Sequence, residues 1–186
     1  QLNMKISEIK QPLKLVIFQI DPTPESKIFL ASKQRLAKQL GILCEVINYS
    51  ISTSEEQIIA RIEQANKDHS VTGIMIQKPI PPKYDYQTLI DHIEPKKDVE
   101  GVTKSQQQTQ ILIAPTARSV LAFIEYYHIP IKDQTIVIIG RSNIVGMPLY
   151  QILHNQTQVY LCGRNTPNIQ EIIQKGNLIM IAIGEK

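Results

Sequence analysis

The sequence lacks the features that mark several classes of protein. No apolar run approaches the roughly 20 residues that a membrane-spanning helix needs, so no transmembrane segment is predicted. The 20 basic residues are dispersed and the net charge is only +3, which argues against nucleic acid as a partner. The two cysteines, Cys44 and Cys162, lie far apart and form no metal-ligand pattern. We therefore predict no metal site and no nucleic-acid partner.

What the sequence has is a regular alternation of strand-like and helix-like segments. Apolar residues make up 42% and charged residues 20%, which is typical of a globular protein. The predicted strands are 13–18, 44–50, 71–77, 136–139, 158–162 and 178–183. The predicted helices are 25–40, 53–68, 86–93, 115–129, 146–154 and 169–176. This order predicts an α/β fold with parallel sheets, divided near residue 115 into domains 1–115 and 116–186.

The first predicted helix, 25–40, carries apolar residues at helical spacing. These residues are Ile28, Leu36 and Leu40, and Gly41 follows as a C-cap.

The stretch 136–149, IVIIGRSNIVGMPL, is the most informative part of the chain. Gly140 ends a strand and allows a tight turn, and Gly146 lets a backbone or a ligand approach closely. A helix start there would offer unpaired N–H groups and a positive dipole end to an anion, beside Arg141 and Ser142. The usual G-x-G-x-x-G fingerprint is absent. The stretch fits either a nucleotide-phosphate site or an ordinary βα turn whose glycines serve packing.

A further cation follows the next strand along the chain. Arg164 lies where folds of this type contact the adenosine ribose. An arginine at that place suits a 2′-phosphate, which favours NADP over NAD.

Four segments together resemble the bifunctional methylenetetrahydrofolate dehydrogenase/methenyltetrahydrofolate cyclohydrolases. Residues 24–42 resemble the family's P-x-S-x-x-Y-x-x-x-K helix, and 71–82 resemble its D-G-I-L-V-Q-L-P-L-P signature. Residues 93–102 resemble its P-x-K-D-V-D-G segment, and 137–149 resemble its cofactor loop almost letter for letter. Because the segments occur in the family's order over nearly the whole chain, the protein is identified as a divergent or truncated member.

The resemblance implies an N-terminal α/β folate-type domain and a Rossmann-like parallel-sheet domain that binds NADP. Folate would lie in a cleft between the domains. A hydride would pass from its methylene carbon to the nicotinamide, and water would then add to the methenyl cation. The implied cofactor-binding residues are Gly140, Arg141, Ser142, Ile144, Gly146 and Arg164.

The implied catalytic positions are partly retained. Lys33 and Gln77 match the family's acid–base lysine and its assisting glutamine, although without the resemblance a solvated helix residue is the simpler interpretation of Lys33. Phe29 occupies the tyrosine position, so a hydroxyl is lost, and a buried partner left unpaired costs about 1–3 kcal/mol. Glu100 occupies the position of the aspartate that holds the pterin, with one methylene more.

Other departures also concentrate on the folate side. Asp21 stands where the family has a glycine, and Ala117 and Ser119 replace the second proline and the glycine of a P-x-T-P-x-G motif. Residues 103–110 bear little likeness to the family's continuation. The chain begins at Gln1 and stops before the family's P-G-G-V-G-P-M-T loop and closing helix, so we expect a processed product or a fragment.

The pattern favours a pseudoenzyme with impaired folate chemistry. It would serve as a subunit or scaffold of a larger assembly, with a doubtful folate site and an NADP site that is retained or vestigial. The alternative is an active NADP-dependent dehydrogenase/cyclohydrolase. A homodimer or a larger complex is expected, located in the mitochondrial matrix or the cytoplasm, with the mitochondrial location preferred.

Overall fold

The structure, a computed structural model, describes residues 8, 9, 11–109 and 112–183. The chain divides into two compact units. The first comprises the chain up to Val99 together with Thr103–Gln106, and the second comprises Glu100–Val102 and the chain from Gln107 onward. The domain limits at residue 115 stay a prediction.

The first unit is built on a parallel three-stranded sheet in the order β2-β1-β3. Its elements are β1 (Lys14–Ile20), α1 (Pro24–Gln39), β2 (Leu43–Tyr49), α2 (Glu55–Lys67), β3 (Gly73–Gln77) and α3 (Tyr86–Asp91). A 3₁₀ turn, Pro95–Lys97, and a short helix, α4 (Lys104–Thr109), follow. The central strand β1 is buried from Val16 to Ile20, as expected for a parallel strand covered on both faces.

Local signals explain where the two long helices of this unit begin. Thr23 caps α1 by accepting a hydrogen bond from the Ser26 N–H at 3.2 Å, with Pro24 in the first turn. Ser54 and Gln57 form a reciprocal capping box at the start of α2. Both helices therefore begin within two residues of the predicted positions.

The apolar spacing at Ile28 and Leu36 does not mark the buried face of α1. Ile28 is 69% exposed and Leu36 is 52% exposed, whereas Ser26, Leu30 and Ala37 are buried. Two of the three buried residues are small, which lets the helix approach the sheet closely.

The second unit repeats the architecture with a parallel sheet in the order β5-β4-β6. Its elements are α5 (Pro115–Tyr126), β4 (Thr135–Ile139), α6 (Gly146–Leu153), β5 (Gln158–Cys162), α7 (Ile169–Lys175) and β6 (Leu178–Ile181). Ile136, Ile138, Leu149 and Leu153 lie at the centre of its core. The parallel arrangement aligns the carboxyl ends of β4 and β5 at one edge, where folds of this kind bind ligands.

The predicted α/β fold with parallel sheets is confirmed in both units. Two elements were missed, namely the 3₁₀ turn and α4, whose sequence KSQQQT has no apolar periodicity to reveal it. Within the described ranges, no helix combines the length and the apolar character needed to span a bilayer.

Candidate functional site

A lysine and a glutamine from distant parts of the sequence meet in the first unit. Lys33 lies in the middle of α1, and Gln77 ends β3. The Lys33 Nζ donates a hydrogen bond to the Gln77 Oε1 at 2.8 Å and lies 3.8 Å from the Met75 Sδ. The structure therefore brings together the two residues that the resemblance assigned to acid–base chemistry.

The Gln77 side chain is fixed at both ends. It is 8% exposed, and its Nε2 donates to the Lys78 carbonyl at 2.6 Å while its Oε1 accepts from Lys33. Because both the oxygen and the nitrogen of the Gln77 amide are hydrogen-bonded, the amide has one orientation. Its Oε1 therefore faces Lys33 in a fixed position. The arrangement preorganises the lysine head group.

Phe29 lies on the same face of α1, one turn before Lys33. Its side chain is 66% exposed, and Leu36, one turn after Lys33, is 52% exposed. The Lys33 ammonium is therefore flanked along the helix by two accessible apolar groups. A planar aromatic ligand could stack on such a surface.

The segment that carries Glu100 is anchored by two buried charged residues that the sequence analysis did not single out. Lys97 is 6% exposed, and its Nζ donates to the carbonyls of Ala65, Asn66 and Asp68 at 2.7–3.0 Å, at the end of α2. Asp98 is 3% exposed and accepts from the Thr103 N–H at 2.8 Å. Lys97 and Asp98, which match the lysine and the first aspartate of the P-x-K-D-V-D-G motif, thus stabilise this segment. Their match to that motif was the sequence signal that could have identified them.

Glu100 itself is half-buried in the turn between Asp98 and Thr103. Asp21, the other acidic departure noted in the sequence, has a φ of +45°. That left-handed conformation explains why the family has glycine there, and an aspartate tolerates it at about 1–2 kcal/mol. Ala117 is fully buried, and the Ser119 hydroxyl donates to the Pro115 carbonyl at 2.9 Å.

The loop after β4 is built on a close contact between its two glycines. Gly140 has a φ of +120°, and a Cβ there would lie 2.5 Å from the Ala182 carbonyl oxygen. A Cβ on Gly146 would collide with the Gly140 carbonyl oxygen. The close approach predicted at Gly146 is therefore made by the backbone of Gly140. Ile144 lies half-buried between them.

The expectation of unpaired N–H groups at the start of α6 is largely wrong. The Ser142 Oγ accepts from the Val145 N–H at 3.1 Å, and the Ser142 carbonyl accepts from the Met147 N–H at 3.0 Å. Pro148 has no N–H to offer. The turn folds back onto the helix start and uses these donors, so most of the backbone donors expected for an anion are already hydrogen-bonded within the protein.

Two arginines supply positive charge at the carboxyl edge of the second sheet. A pocket of about 610 Å³ lies there, and both Arg141 and Arg164 line it. The other lining residues are Ile139, Gly140, Gly163, Asn165, Ile169 and Ile183. The arrangement suits a phosphate-bearing ligand, since arginine binds phosphate in a planar, bidentate manner.

The cysteines offer no competing chemistry. Burial raises the pKa of the Cys162 thiol, although the nearby charge of Arg141 opposes the shift. Burial also raises the pKa of the Cys44 thiol. Both groups are therefore protonated near neutral pH, and the described residues contain no cluster of three metal-ligating side chains.

Comparison with known families places both units. The family model "Tetrahydrofolate dehydrogenase/cyclohydrolase, catalytic domain" matches residues 1–100, and the family's "NAD(P)-binding domain" matches residues 114–186. The matches follow the order and the approximate extents of the two units. The roles of the individual site residues stay proposals.

Relatives and solved structures agree with this match. The bifunctional protein FolD of Lactobacillus helveticus is 34% identical over 175 residues, covering 91% of this chain and 62% of the relative. The FolD protein of Lactobacillus acidophilus is 30% identical, covering 100% of this chain and 69% of the relative. The chain thus spans about two thirds of their length.

Among solved structures, the chain is similar to a bifunctional 5,10-methylenetetrahydrofolate dehydrogenase/cyclohydrolase from Thermoplasma acidophilum. The TM-score is 0.89 at 27% identity, over 99% of this chain and 68% of that one. A 5,10-methylenetetrahydrofolate dehydrogenase from the silkworm, Bombyx mori, gives a TM-score of 0.89 at 27% identity, over 99% and 71% of the two chains.

Proposed function

The chain belongs to the tetrahydrofolate dehydrogenase/cyclohydrolase family, and we propose that it binds NADP and a reduced folate and catalyses the family's two reactions. The observation that carries the proposal is the 2.8 Å hydrogen bond between the Lys33 Nζ and the Gln77 Oε1. The two residues are separated by 44 positions, and a chain freed from folate chemistry has no evident need to keep this pair.

Lys33 would serve the water-addition step. An ammonium has three donors, so a lysine held through one of them by Gln77 can still donate to a substrate or exchange a proton with water. We assign to the Lys33 Nζ, in its neutral amine form, the acceptance of the proton that water loses as its oxygen attacks the methenyl carbon, and the ammonium so formed would then release that proton. Phe29 and Leu36 would pack against the aromatic part of the folate, excluding water from the lysine.

The second unit fits a phosphorylated dinucleotide. Gly140 and Gly146 shape the turn that follows β4, and Arg141 and Arg164 bring two positive charges to one pocket. NADP, when bound, supplies a hydride acceptor. The residues that would hold it are Arg141, Ser142 and Arg164, with Gly140, Ile144 and Gly146 forming the loop beneath.

The pseudoenzyme hypothesis stays a second candidate because specific substitutions favour it. Phe29 carries no hydroxyl, so any proton relay through that position is lost. Glu100 carries its carboxylate one methylene farther than an aspartate. On this hypothesis the protein is a subunit or scaffold of a larger assembly. Light scattering of the purified protein would distinguish a homodimer from such an assembly. The Lactobacillus relatives lend no support to the mitochondrial location.

The experiment that separates the candidates measures methenyl-folate absorbance after mixing protein, NADP and methylenetetrahydrofolate, and then its hydrolysis. The active enzyme gives both signals. Lys33→Met should lower the hydrolysis rate by about 10²–10⁴-fold, the usual contribution of a positioned acid or base. Lys38→Met, an exposed lysine in the last turn of the same helix, is the matched control and should have no effect. Absence of both signals in the wild-type protein would support the pseudoenzyme.

A further inference from the structure

We propose that Gly163 is a positioning residue that makes the dinucleotide site select NADP over NAD, by leaving the space that the Arg141 side chain occupies. The inference rests on the proposed function, since it requires that the second unit bind a dinucleotide.

Gly163 and the Arg141 side chain lie next to each other at the edge of the sheet. Ile139, near the end of β4, is paired with Cys162, at the end of β5. Gly163 directly follows Cys162, and Arg141 lies two residues after Ile139, beyond Gly140. A Cβ built on Gly163 would lie 3.1 Å from the Arg141 Cδ, 3.2 Å from its Nε and 3.5 Å from its Cγ. These are its three nearest neighbours, so the missing side chain makes room for Arg141 specifically.

Arg141 is held in that space by a hydrogen bond. Its Nη2 donates to the Leu161 carbonyl at 3.1 Å, although the side chain as a whole is exposed. The aliphatic part lies over the Gly163 backbone, and the head group is tied to β5. The glycine and the carbonyl therefore fix the direction in which the guanidinium faces the pocket.

The same turn also carries the second arginine. The Thr166 N–H donates to the Gly163 carbonyl at 3.0 Å, and the Gly163 N–H donates to the Thr166 Oγ1 at 2.8 Å. This pair of bonds closes a four-residue turn that contains Arg164. One short turn thus carries Arg164 and packs against the Arg141 side chain, and both arginines line the pocket.

Two guanidinium groups lining one pocket favour a phosphate monoester over a hydroxyl. NADP differs from NAD by its 2′-phosphate, which carries close to two negative charges near neutral pH. NAD-selective sites of this fold type use an acidic residue to bind the ribose 2′-hydroxyl. None of the described residues that line this pocket is acidic. The chemistry of the pocket therefore discriminates between the two dinucleotides.

Gly163→Ala tests the inference without damaging the fold. Gly163 is not among the residues with positive φ, so its backbone accepts an alanine. The close contact falls on one exposed side chain, which must shift by a few tenths of an ångström and thereby weaken its bond to the Leu161 carbonyl. We therefore expect the thermal unfolding midpoint to stay unchanged while the guanidinium is displaced.

The measurement is the calorimetric Kd for NADPH and for NADH, taken on the wild-type protein, Gly163→Ala, Arg141→Ala and the double variant. The wild-type protein should prefer NADPH. Gly163→Ala should raise the Kd for NADPH about tenfold, as expected for losing one charge-assisted contact, and leave that for NADH unchanged. In the Arg141→Ala background the alanine should have no further effect, because Gly163 acts through Arg141.

The other possible outcomes distinguish a failure of this inference from a failure of the proposed function. If Gly163→Ala weakened NADPH and NADH binding equally, or weakened NADPH binding by the same factor in the Arg141→Ala background, Gly163 would have only a structural role. Equal affinity of the wild-type protein for both would overturn the selectivity and leave dinucleotide binding intact. Binding of neither would contradict the proposed function itself, and the inference with it.

Discussion

Replacing the buried Lys97 with methionine should destabilise the first unit by about 2–4 kcal/mol. The Lys97 Nζ donates to three carbonyls at the carboxyl end of α2, at distances of 3.0, 2.7 and 2.7 Å. The carbonyls of Ala65 and Asn66 lie in the last turn of the helix, which ends at Lys67 and so offers them no amide from a following turn, whereas the Asp68 carbonyl, at the C-cap, also accepts from the Val71 N–H at 3.1 Å. The ammonium therefore serves as a cap that ties the 95–98 segment to α2.

The magnitude follows from opposing contributions. A hydrogen bond to a charged group contributes about 1.5–3 kcal/mol, and the positive charge also interacts favourably with the negative end of the helix dipole by about 0.3–2 kcal/mol. Burying an ammonium costs several kcal/mol, which cancels much of this gain. Methionine fills the space of the lysine stem, so little cavity cost is added.

The assay is urea unfolding at neutral pH, followed by amide hydrogen exchange of α2 because a protein of two units need not unfold in one step. Lys67→Met is the matched control, since Lys67 is an exposed lysine at the end of the same helix. The control should change stability by less than about 0.5 kcal/mol. Equal effects of the two substitutions would refute the assignment of Lys97 as an internal cap.

Three further predictions concern other parts of the molecule. Phe29→Tyr should raise the cyclohydrolase rate about tenfold or more by restoring a hydroxyl one turn from Lys33, measured by methenyl hydrolysis with Phe29→Leu as control; an unchanged rate would exclude a role for that hydroxyl. Gly146→Ala should cost about 1–3 kcal/mol in unfolding free energy and weaken NADPH binding, because its Cβ would meet a backbone oxygen that cannot rotate away; unaltered binding would contradict the close packing of the loop. The hydrogen bond from Lys14 lowers the pKa of Glu45, so its stabilising contribution is present above the unfolded-state pKa and lost as the pH falls through the folded one. Urea midpoints between pH 6 and pH 3 should therefore fall more steeply in the wild-type protein than in Lys14→Met, and parallel profiles would rule this out.

Much of the fold could be predicted from periodicity because its strands are short apolar runs separated by amphipathic helices. Strands β4 and β5 were predicted to within one residue. The face of α1 could not be predicted in the same way, since close packing against the sheet uses Ser26 and Ala37, which carry little hydrophobic signal. The polar helix α4 gave no periodic signal at all.

The site shows a different limit. Lys33 and Gln77 lie 44 residues apart, and only the sheet and helix packing brings their side chains together, so no local pattern links them. The resemblance to a known family supplied that link. It could not show that Lys97 and Asp98 anchor the turn carrying Glu100, because their roles depend on carbonyls and amides contributed by other segments. Gly163 could have been noticed from the register of neighbouring parallel strands, which sets it opposite Gly140, one residue before Arg141.

The central claim is that this chain binds both a dinucleotide and a reduced folate. Its most direct test is a calorimetric titration of the purified protein with NADPH, followed by methylenetetrahydrofolate, compared with the same titration of Gln77→Leu. We predict saturable binding of both ligands by the wild-type protein, and weaker folate binding with unchanged NADPH binding by the variant, because the two contacts that are removed, with Lys33 and with the Lys78 carbonyl, both lie in the first unit. Failure of the wild-type protein to bind folate would contradict the account.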